Sequence, residues 1–425
     1  MPSNASPIAS LRKQYLQGET SPLEQIELAL ARANSNAGEN VYLELDAAWS
    51  RAEARRLRRE EIGEKPLWGV PVSLKDCFDL EGFRTSCGSA FYRAKYGVAA
   101  RDSAVAQRLR RAGAVIIGKT HLHQLAYGIT GENRDFGDCI QPRDPARLTG
   151  GSSSGAAASV QEGSAMAAIG TDTGGSVRVP AALCGLAGFR SSVTRQDGLW
   201  RGGAHLAESF DTVGWLYRDL TDGPMLASAL FDLPCVEEAK VAGLRIGVPD
   251  ATFLHDCEAD VRETLRLRCA AFASAGAMVS EFDAHWWGPV FGFFAPIQAS
   301  EAAALHRGHF TEFEPAIAAR LAEGDAIDPE SMADLRRLLA EFRVRMSSLF
   351  ERFDYLLLPC SPMSALAAGA DHAETRARIL RYTTPISAAG LPVVTLPGSA
   401  GGLQLVGRLS GDAELLALSA ALKVL

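Results

Sequence analysis

Residues 150–180 read GGSSSGAAASVQEGSAMAAIGTDTGGSVRVP. Two glycine–serine turns, GGSSS at 150–154 and TDTGGS at 171–176, bracket a run of small and apolar residues. Glycine lets a backbone bend sharply and approach a ligand closely, and the serines present hydroxyls at each bend. Upstream, GVPVSLKD places Lys75 at the end of a short apolar strand. A lysine there is costly unless paired, and desolvation lowers its pKa toward the range in which it accepts a proton. A serine hydroxyl needs a base before it attacks, and serine–lysine pairing is a variant of the serine triad. The constellation points to nucleophilic chemistry; taken alone, Lys75 is equally readable as a surface residue closing a strand.

Working outward, the 425 residues are 47% hydrophobic and 22% charged, enough to bury a sizeable core. A net charge of −7 argues against a nucleic-acid partner, which needs a basic face. No apolar run approaches the roughly 20 residues of a membrane span. The N-terminal MPSNASPIASLRKQYL lacks the charged head and apolar middle of a signal peptide. Eight cysteines (77, 87, 139, 184, 235, 257, 269 and 360) are scattered without a CxxC pair, so neither a zinc site nor a disulfide framework is indicated. They read as reduced, mostly buried thiols of a cytoplasmic protein. None of the eight histidines stands in a GxSxG-like setting; His121 and His123 form an H-x-H pair without a third ligand nearby, which favours a structural role over a metal site.

The flanking sequence reads as alternating strands and helices. Ser21, Pro22 and Glu24 make a capping box for a helix with Leu23, Ile26 and Leu30 inward. An arginine-rich helix follows around 47–60, read as a solvated face. After the Lys75 strand, Asp102 caps a helix running to Arg111 with Val105, Leu109 and Ala112 inward, and AVIIG at 114–118 is the next strand. That alternation marks an α/β sheet. Residues 119–149 read as a short helix and ordered loop. LCGLAGF (183–189), DTVGWL (211–216), LRIGV (244–248), FDYLLLP (353–359) and LPVVTLP (391–397) have strand texture. The rest of 240–350 reads as helical, and GLQLVGR (402–408) with a helix over 412–423 closes the chain. No internal repeat or low-complexity linker is present, which favours one compact domain over 1–425.

Together, GVPVSLKD, GGSSSGAAASV and GTDTGGSVRVPA resemble the amidase signature family of Ser–cisSer–Lys hydrolases. Ser152 and Ser176 stand 24 positions apart, as the two catalytic serines do in that family's pattern. GKTHLHQLAYGITGENRDFG, DPARLTGGSSSG, CGLAGFR, SFDTVG, FDYLLLPCSP, AAGLPVVTLP and GLQLVGR follow in family order, so the resemblance covers nearly the whole chain. It implies an α/β fold, a central twisted mixed sheet covered by helices on both faces. It also implies an N-terminal helical segment (1–65), a catalytic core (66–220), and a substrate-side helical region with C-terminal strands (221–425).

The resemblance further implies roles. Ser176 would be the nucleophile, Ser152 the bridging serine behind a non-proline cis peptide, and Lys75 the base. The backbone amides of Thr173, Gly174, Gly175 and Ser176 would form an oxyanion hole. Ser153 and Ser154 would supply supporting hydroxyls, Asp172 and Arg178 would pair to hold the turn, and Asp76 would orient the site beside a packed Cys77. No metal or organic cofactor is expected. Three departures stand out: Ser154 where many members have glycine, a change also common in allophanate-hydrolase-like members, and two that touch local packing, FRSS at 189–192 and no P-x-G before GLQ. The lack of an N-terminal anchor argues against a membrane lipid amidase.

Substrate contacts are the least legible part. The aromatic stretch 284–312 reads as an acyl pocket or as core packing. Trp200, Arg201 and His205 follow a glycine-rich turn, and Arg201 or Arg307 would suit a substrate carboxylate. Tyr127 and Gly151 complete the candidates. The expected substrate is a small amide or ureido acid. One alternative is a partner-dependent chain resembling the A subunit of tRNA-dependent amidotransferases, with a homodimer or a small partner chain. Another is a small-molecule kinase with a Gly-Ser phosphate loop. The kinase reading leaves Lys75 and TDTGGS unexplained.

Overall fold

Most of the apolar runs become strands of one sheet. The computed structural model describes residues 6–422 other than 235, 237, 238 and 399. Its strands are β1 (Tyr42–Leu45), β2 (Pro71–Lys75), β3 (Val115–Thr120), β4 (Ile140–Gln141), β5 (Asp144–Leu148), β6 (Ala167–Asp172), β7 (Ala187–Arg190), β8 (Thr212–Tyr217), β9 (Arg245–Pro249), β10 (Met278–Phe282), β11 (Tyr355–Pro359), β12 (Val393–Leu396) and β13 (Leu403–Val406). Eleven of them pair in the order β1-β3-β2-β6-β8-β7-β12-β13-β11-β9-β10, while β4 and β5 form a hairpin. The sheet is mixed. β3, β2 and β6 run parallel, as do β11, β9 and β10. From β6 across to β11 every neighbour is antiparallel.

Side chains of a strand alternate between faces, and here both faces are covered. Val115 and Ile117 of β3 pack against Ile26 and Leu30 of helix Pro22–Ser35 and Ala54 of helix Ala47–Arg56. Ile116 between them joins the main core with Val105 and Leu109 of helix Ala104–Arg111. In β6 and β8, Ala168 and Leu216 meet Ala156 and Val160 of helix Ser154–Glu162, while Ile169 and Trp215 turn into the main core. Because β2 and β6 are parallel, with Leu74 opposite Ile169, their C-terminal ends lie side by side. Lys75 and the TDTGGS turn therefore emerge at the same edge. Antiparallel β8 sets Thr212 opposite Asp172, which brings Asp211 alongside.

Several expectations are corrected. The capping box at Ser21 is present, but a helix Pro7–Gln17 precedes it, capped by Ser6, with Ile8, Leu11 and Tyr15 buried. Ser103, not Asp102, caps the helix Ala104–Arg111; Asp102 instead accepts from Glu81 N–H and pairs with Arg110. Residues 119–149 hold a short 3-10 turn at Gln124–Ala126 and the β4–β5 hairpin. The first part of LCGLAGF closes helix Arg178–Leu183, and the strand begins only at Ala187. β1 and β10 escaped the sequence because both are edge strands, four and five residues long, without a buried apolar run. Trp286 and Trp287 of the aromatic stretch pack against Phe342 and against Phe253 and Phe282. Cys235 lies outside the described residues, as does the last residue of the helix expected over 412–423. The other seven cysteines are free thiols. Among the described residues no helix is long and apolar enough to cross a membrane.

Trp215 is fully buried, with its ring centre 4.4 Å from that of Phe189 on neighbouring β7. Trp215→Ala is expected to destabilise the protein by about 3–5 kcal/mol, read as a lowered urea midpoint. An unchanged midpoint would show that the centre of the sheet does not carry the fold.

Candidate active site

Lys75 ends β2 with its side chain fully buried. Its Nζ lies 2.8 Å from Ser152 Oγ, 3.1 Å from Ser153 Oγ and 2.7 Å from Thr171 Oγ1. Burial lowers its pKa to about 8, outweighing Cys77, Asp172 and Asp211, which act in the opposite direction. An amine with a pKa of about 8 is neutral above that pH and keeps a minor neutral fraction at about pH 7, and here it is surrounded by hydroxyls.

The two glycine–serine turns face one another. The Gly151–Ser152 peptide is cis. Gly151 N–H donates to Ile129 O at 2.7 Å, His123 N–H to Ser152 O at 3.2 Å, and Ser153 N–H to Ser176 O at 3.1 Å. Close approach is what excludes larger residues here. A Cβ at Gly170 would stand 2.7 Å from Ser153 Oγ, and Gly175 holds φ +129° with Thr383 only 3.0 Å from any Cβ. Ser154 Oγ donates to Ser152 O at 3.2 Å and meets His121 Nδ1 at 3.2 Å, while His121 Nε2 lies 2.9 Å from Gly137 O. His121 is thereby a structural hydrogen-bonder. Among the described residues no three His, Cys, Asp or Glu side chains are grouped to hold a metal ion.

Asp172 shapes the second turn. It accepts from Gly175 N–H (2.9 Å), Val177 N–H (3.1 Å) and Arg178 N–H (3.3 Å), and ion-pairs with Arg178 and Arg190, each at 2.9 Å. Burial by itself would raise this carboxyl; the two guanidiniums outweigh it and hold the pKa well below the usual carboxylate range. Gly175 N–H is therefore already spent on Asp172, which removes it from the four amides expected at an oxyanion hole. Among the described residues the N–H groups of Gly174 and Ser176 donate to no protein acceptor. Ser176 is 4% exposed and so lies almost wholly beneath the surface. Thr173 Oγ1 donates to Asp211 at 2.6 Å; Asp211 also takes His205 Nδ1 at 3.0 Å, and Trp200 stacks on His205 with ring centres 4.0 Å apart. Trp200 and His205 are thus tied to the turn through Asp211.

Other candidates lie elsewhere. Asp76 pairs with Lys119 at 2.6 Å and with Ser86, not with Lys75. Burial pushes the Cys77 thiol up to about 11, as suits a packed cysteine. Arg201 is exposed and bonded to Gln107, and Arg307 is exposed and paired with Asp325 at 2.7 Å; neither touches the lysine–serine cluster. Tyr127 is buried beneath the guanidinium of Arg320, 4.4 Å from its ring centre. Thr171, Arg190, Asp211, Thr383, Arg320 and Arg376 are the residues that sequence reasoning missed. Thr171, Asp211 and Arg190 stand inside the quoted TDTGGS, SFDTVG and CGLAGFR; the other three carry no local signal.

A buried amine among serine hydroxyls, at the edge of a mixed α/β sheet, is the equipment of a hydrolase. Residues 24–416 match the family model described as Amidase, and the chain belongs to the amidase family. It is an amidohydrolase, acting on carbon–nitrogen bonds. It is 32% identical to the A subunit of glutamyl-tRNA(Gln) amidotransferase from Roseiflexus castenholzii, over 96% of this chain and 93% of that one. It is also 32% identical to AtzE, a subunit of 1-carboxybiuret hydrolase from Pseudomonas sp. (strain ADP), covering 89% and 88% of the two chains. A solved structure described as an amidase superposes with a TM-score of 0.89 at 30% identity over 99% of each chain.

Asp172→Asn would leave two buried guanidiniums without their counter-charge. It is expected to cost about 3–5 kcal/mol, measured by chemical denaturation. The pH dependence has a definite sign. With its folded pKa depressed, Asp172 stabilises the fold above the unfolded carboxylate pKa of about 4 and ceases to do so as pH falls further. The wild type should therefore lose stability below about pH 4 more steeply than the variant. Parallel acid profiles would show that the ion cluster does not hold the turn.

Proposed function

We propose that the protein hydrolyses a small amide or ureido acid through an acyl-enzyme on Ser176, with Ser152 relaying a proton to Lys75. The observation that carries this reading is the buried Lys75 Nζ, 2.8 Å from Ser152 Oγ, with its pKa lowered to about 8. A neutral amine has two hydrogens to give and one lone pair to receive. Ser153 sends its own hydrogen to Thr171 O at 3.2 Å, so it can only accept from Lys75. That leaves the Ser152 hydroxyl free to point its hydrogen at the lone pair and to receive one from Ser176.

In the acylation step, Ser176 Oγ attacks the amide carbon as its proton moves to Ser152 Oγ and the Ser152 proton moves to Lys75 Nζ. The carbonyl electrons collect on oxygen, where the free amides of Gly174 and Ser176 are the donors available, with Thr173 beside them. The electrons return, the carbon–nitrogen bond breaks, and the proton travels back through Ser152 to the leaving ammonia or amine. Water then attacks the acyl-serine by the same relay and releases the acid. Thr173, held by Asp211, and the Asp172–Arg178 pair position the turn.

Both named relatives are parts of larger assemblies, which favours one further reading: that this site works with a partner chain. Activity of the isolated chain that neither rises on adding cell extract nor falls on dilution would remove it.

Ser176→Ala is expected to abolish ammonia release from a panel of primary amides and ureido acids, by at least about 10,000-fold, without changing the thermal midpoint. Activity near the wild-type level in that protein would sink the assignment. Protonated Lys75 cannot accept a proton, so kcat/KM should fall about tenfold per pH unit below about pH 8. A rate that stays flat down to pH 5 would remove Lys75 from the role of base.

A further inference from the structure

Two arginines beside the lysine–serine cluster have no anion to hold. Helix Ala373–Ala389 lays one face along the second turn. On it, Thr383 Oγ1 donates to Gly174 O at 2.5 Å, and Leu380 would stand 3.5 Å from a Cβ at Gly174. Arg376 occupies the same face one turn further on, about 6 Å along the axis. From the other side, on helix Pro315–Asp325, Arg320 Nη2 donates to Tyr127 O at 2.8 Å and its guanidinium covers the Tyr127 ring. Two residues beyond Tyr127, Ile129 holds Gly151, the neighbour of Ser152. His123 lies within reach of all of these charges: burial first, then Arg320, Arg376, His121 and Lys75, lower its pKa to about 3.

Neither guanidinium is neutralised. Among the described residues no carboxylate oxygen comes within 4.0 Å of either one, and the Nε atoms of both are buried without a hydrogen-bond partner. Glu314 and Glu323 act on Arg320 from further away. Among the described residues Arg376 makes no side-chain hydrogen bond at all; burial and then the charge of Arg320 lower its pKa to about 10, and Tyr127 is the one group pulling it upward. His123 Nδ1, in a residue 7% exposed, is unpartnered as well, while its Nε2 lies 3.9 Å from Glu314 Oε2. Desolvated like charges that repel each other are costly unless an anion closes the arrangement.

We propose that Arg320 and Arg376 form a subsite for a carboxylate on the substrate, so that the amide cleaved at Ser176 is one end of a short ω-amide or ureido acid. The proposal rests on the assignment of Ser176 as nucleophile. A guanidinium fork matches a planar carboxylate bidentately, and the second arginine leaves no oxygen of that carboxylate unbonded. The arrangement gives the site its preference for acids, a role that the exposed, paired Arg201 and Arg307 do not fill.

Succinamate and butyramide share a chain length and differ by carboxylate against methyl. The ratio of their kcat/KM values is expected to exceed about 100 in the wild type and to fall at least about 30-fold in Arg376→Gln. Arg320→Lys, which keeps the charge but loses the fork, should fall between. A ratio that stays put while both rates drop would mean a structural role and overturn the proposal. Calorimetry on Ser176→Ala separates the subsite from the chemistry. Succinamate should bind there, and at least about 30-fold more weakly once Arg376→Gln is added. That result with no amide turned over by the wild type would keep the subsite and reject the hydrolytic role of Ser176. Equal affinity for succinamate and butyramide, or inorganic phosphate bound more tightly than succinamate, would overturn the carboxylate assignment.

Discussion

The carboxylate of Asp172 is the constraint on which the site depends. It sits at the last position of β6, fully buried, between the fully buried guanidiniums of Arg178 and Arg190. Successive side chains of a strand point to opposite faces, and β6 uses this at its end. Thr171 reaches Lys75 from one face, while Asp172 gathers the turn from the other. One strand terminus therefore fixes both the buried Lys75 amine and the loop that carries Ser176, the base and nucleophile of the proposed reaction. Arg178 extends the hold to the C-terminal third of the chain through Gln404 Oε1 at 2.6 Å, Ser387 Oγ at 2.6 Å and Thr383 O at 3.1 Å.

Lys75 shows the complementary use of burial. The same desolvation that must be offset at Asp172 is left largely in force at Lys75, where only neutral hydroxyls touch the amine. Lys119, its neighbour in the sheet across from β2, is also fully buried but has Asp76 at 2.6 Å. Two buried lysines a strand apart thus differ in one respect, a carboxylate partner. Asp76, adjacent to Lys75 in sequence, turns to the opposite side of the strand and serves the other lysine.

Such differences in depth and partnership decide how far the chain can be read from its sequence. The two turns are legible because Ser152 and Ser176 sit in short, unusual runs of glycine and serine, and Lys75 because it ends a short apolar strand. The fold class is legible because strands buried on both faces leave near-continuous apolar runs. β1 and β10 are not, since an edge strand with one poorly covered face has no such run. The arginines are illegible for a different reason. Arg201 and Arg307 stand out as cations near aromatic or glycine-rich sequence, but charge on a chain says nothing of depth. Arg320 and Arg376 themselves lie more than 140 residues beyond Ser176, on helices without any motif.

The guanidiniums around the turn, buried or half-buried, divide into two kinds. Arg178 makes bonds with every nitrogen of its fork, and Arg190 shares Asp172 and adds Phe210 O at 3.1 Å. Such residues complete a structural ion cluster, and their placement is accounted for by the turn they hold. Arg376 has no such account. It neither caps a helix, braces a loop nor answers a carboxylate, yet it stands one helical turn from the residue packed on Gly174. A structural arginine would be expected to show its partner in the folded chain. One that shows none, beside a nucleophile candidate and next to a second cation, is better explained by a partner that arrives from outside.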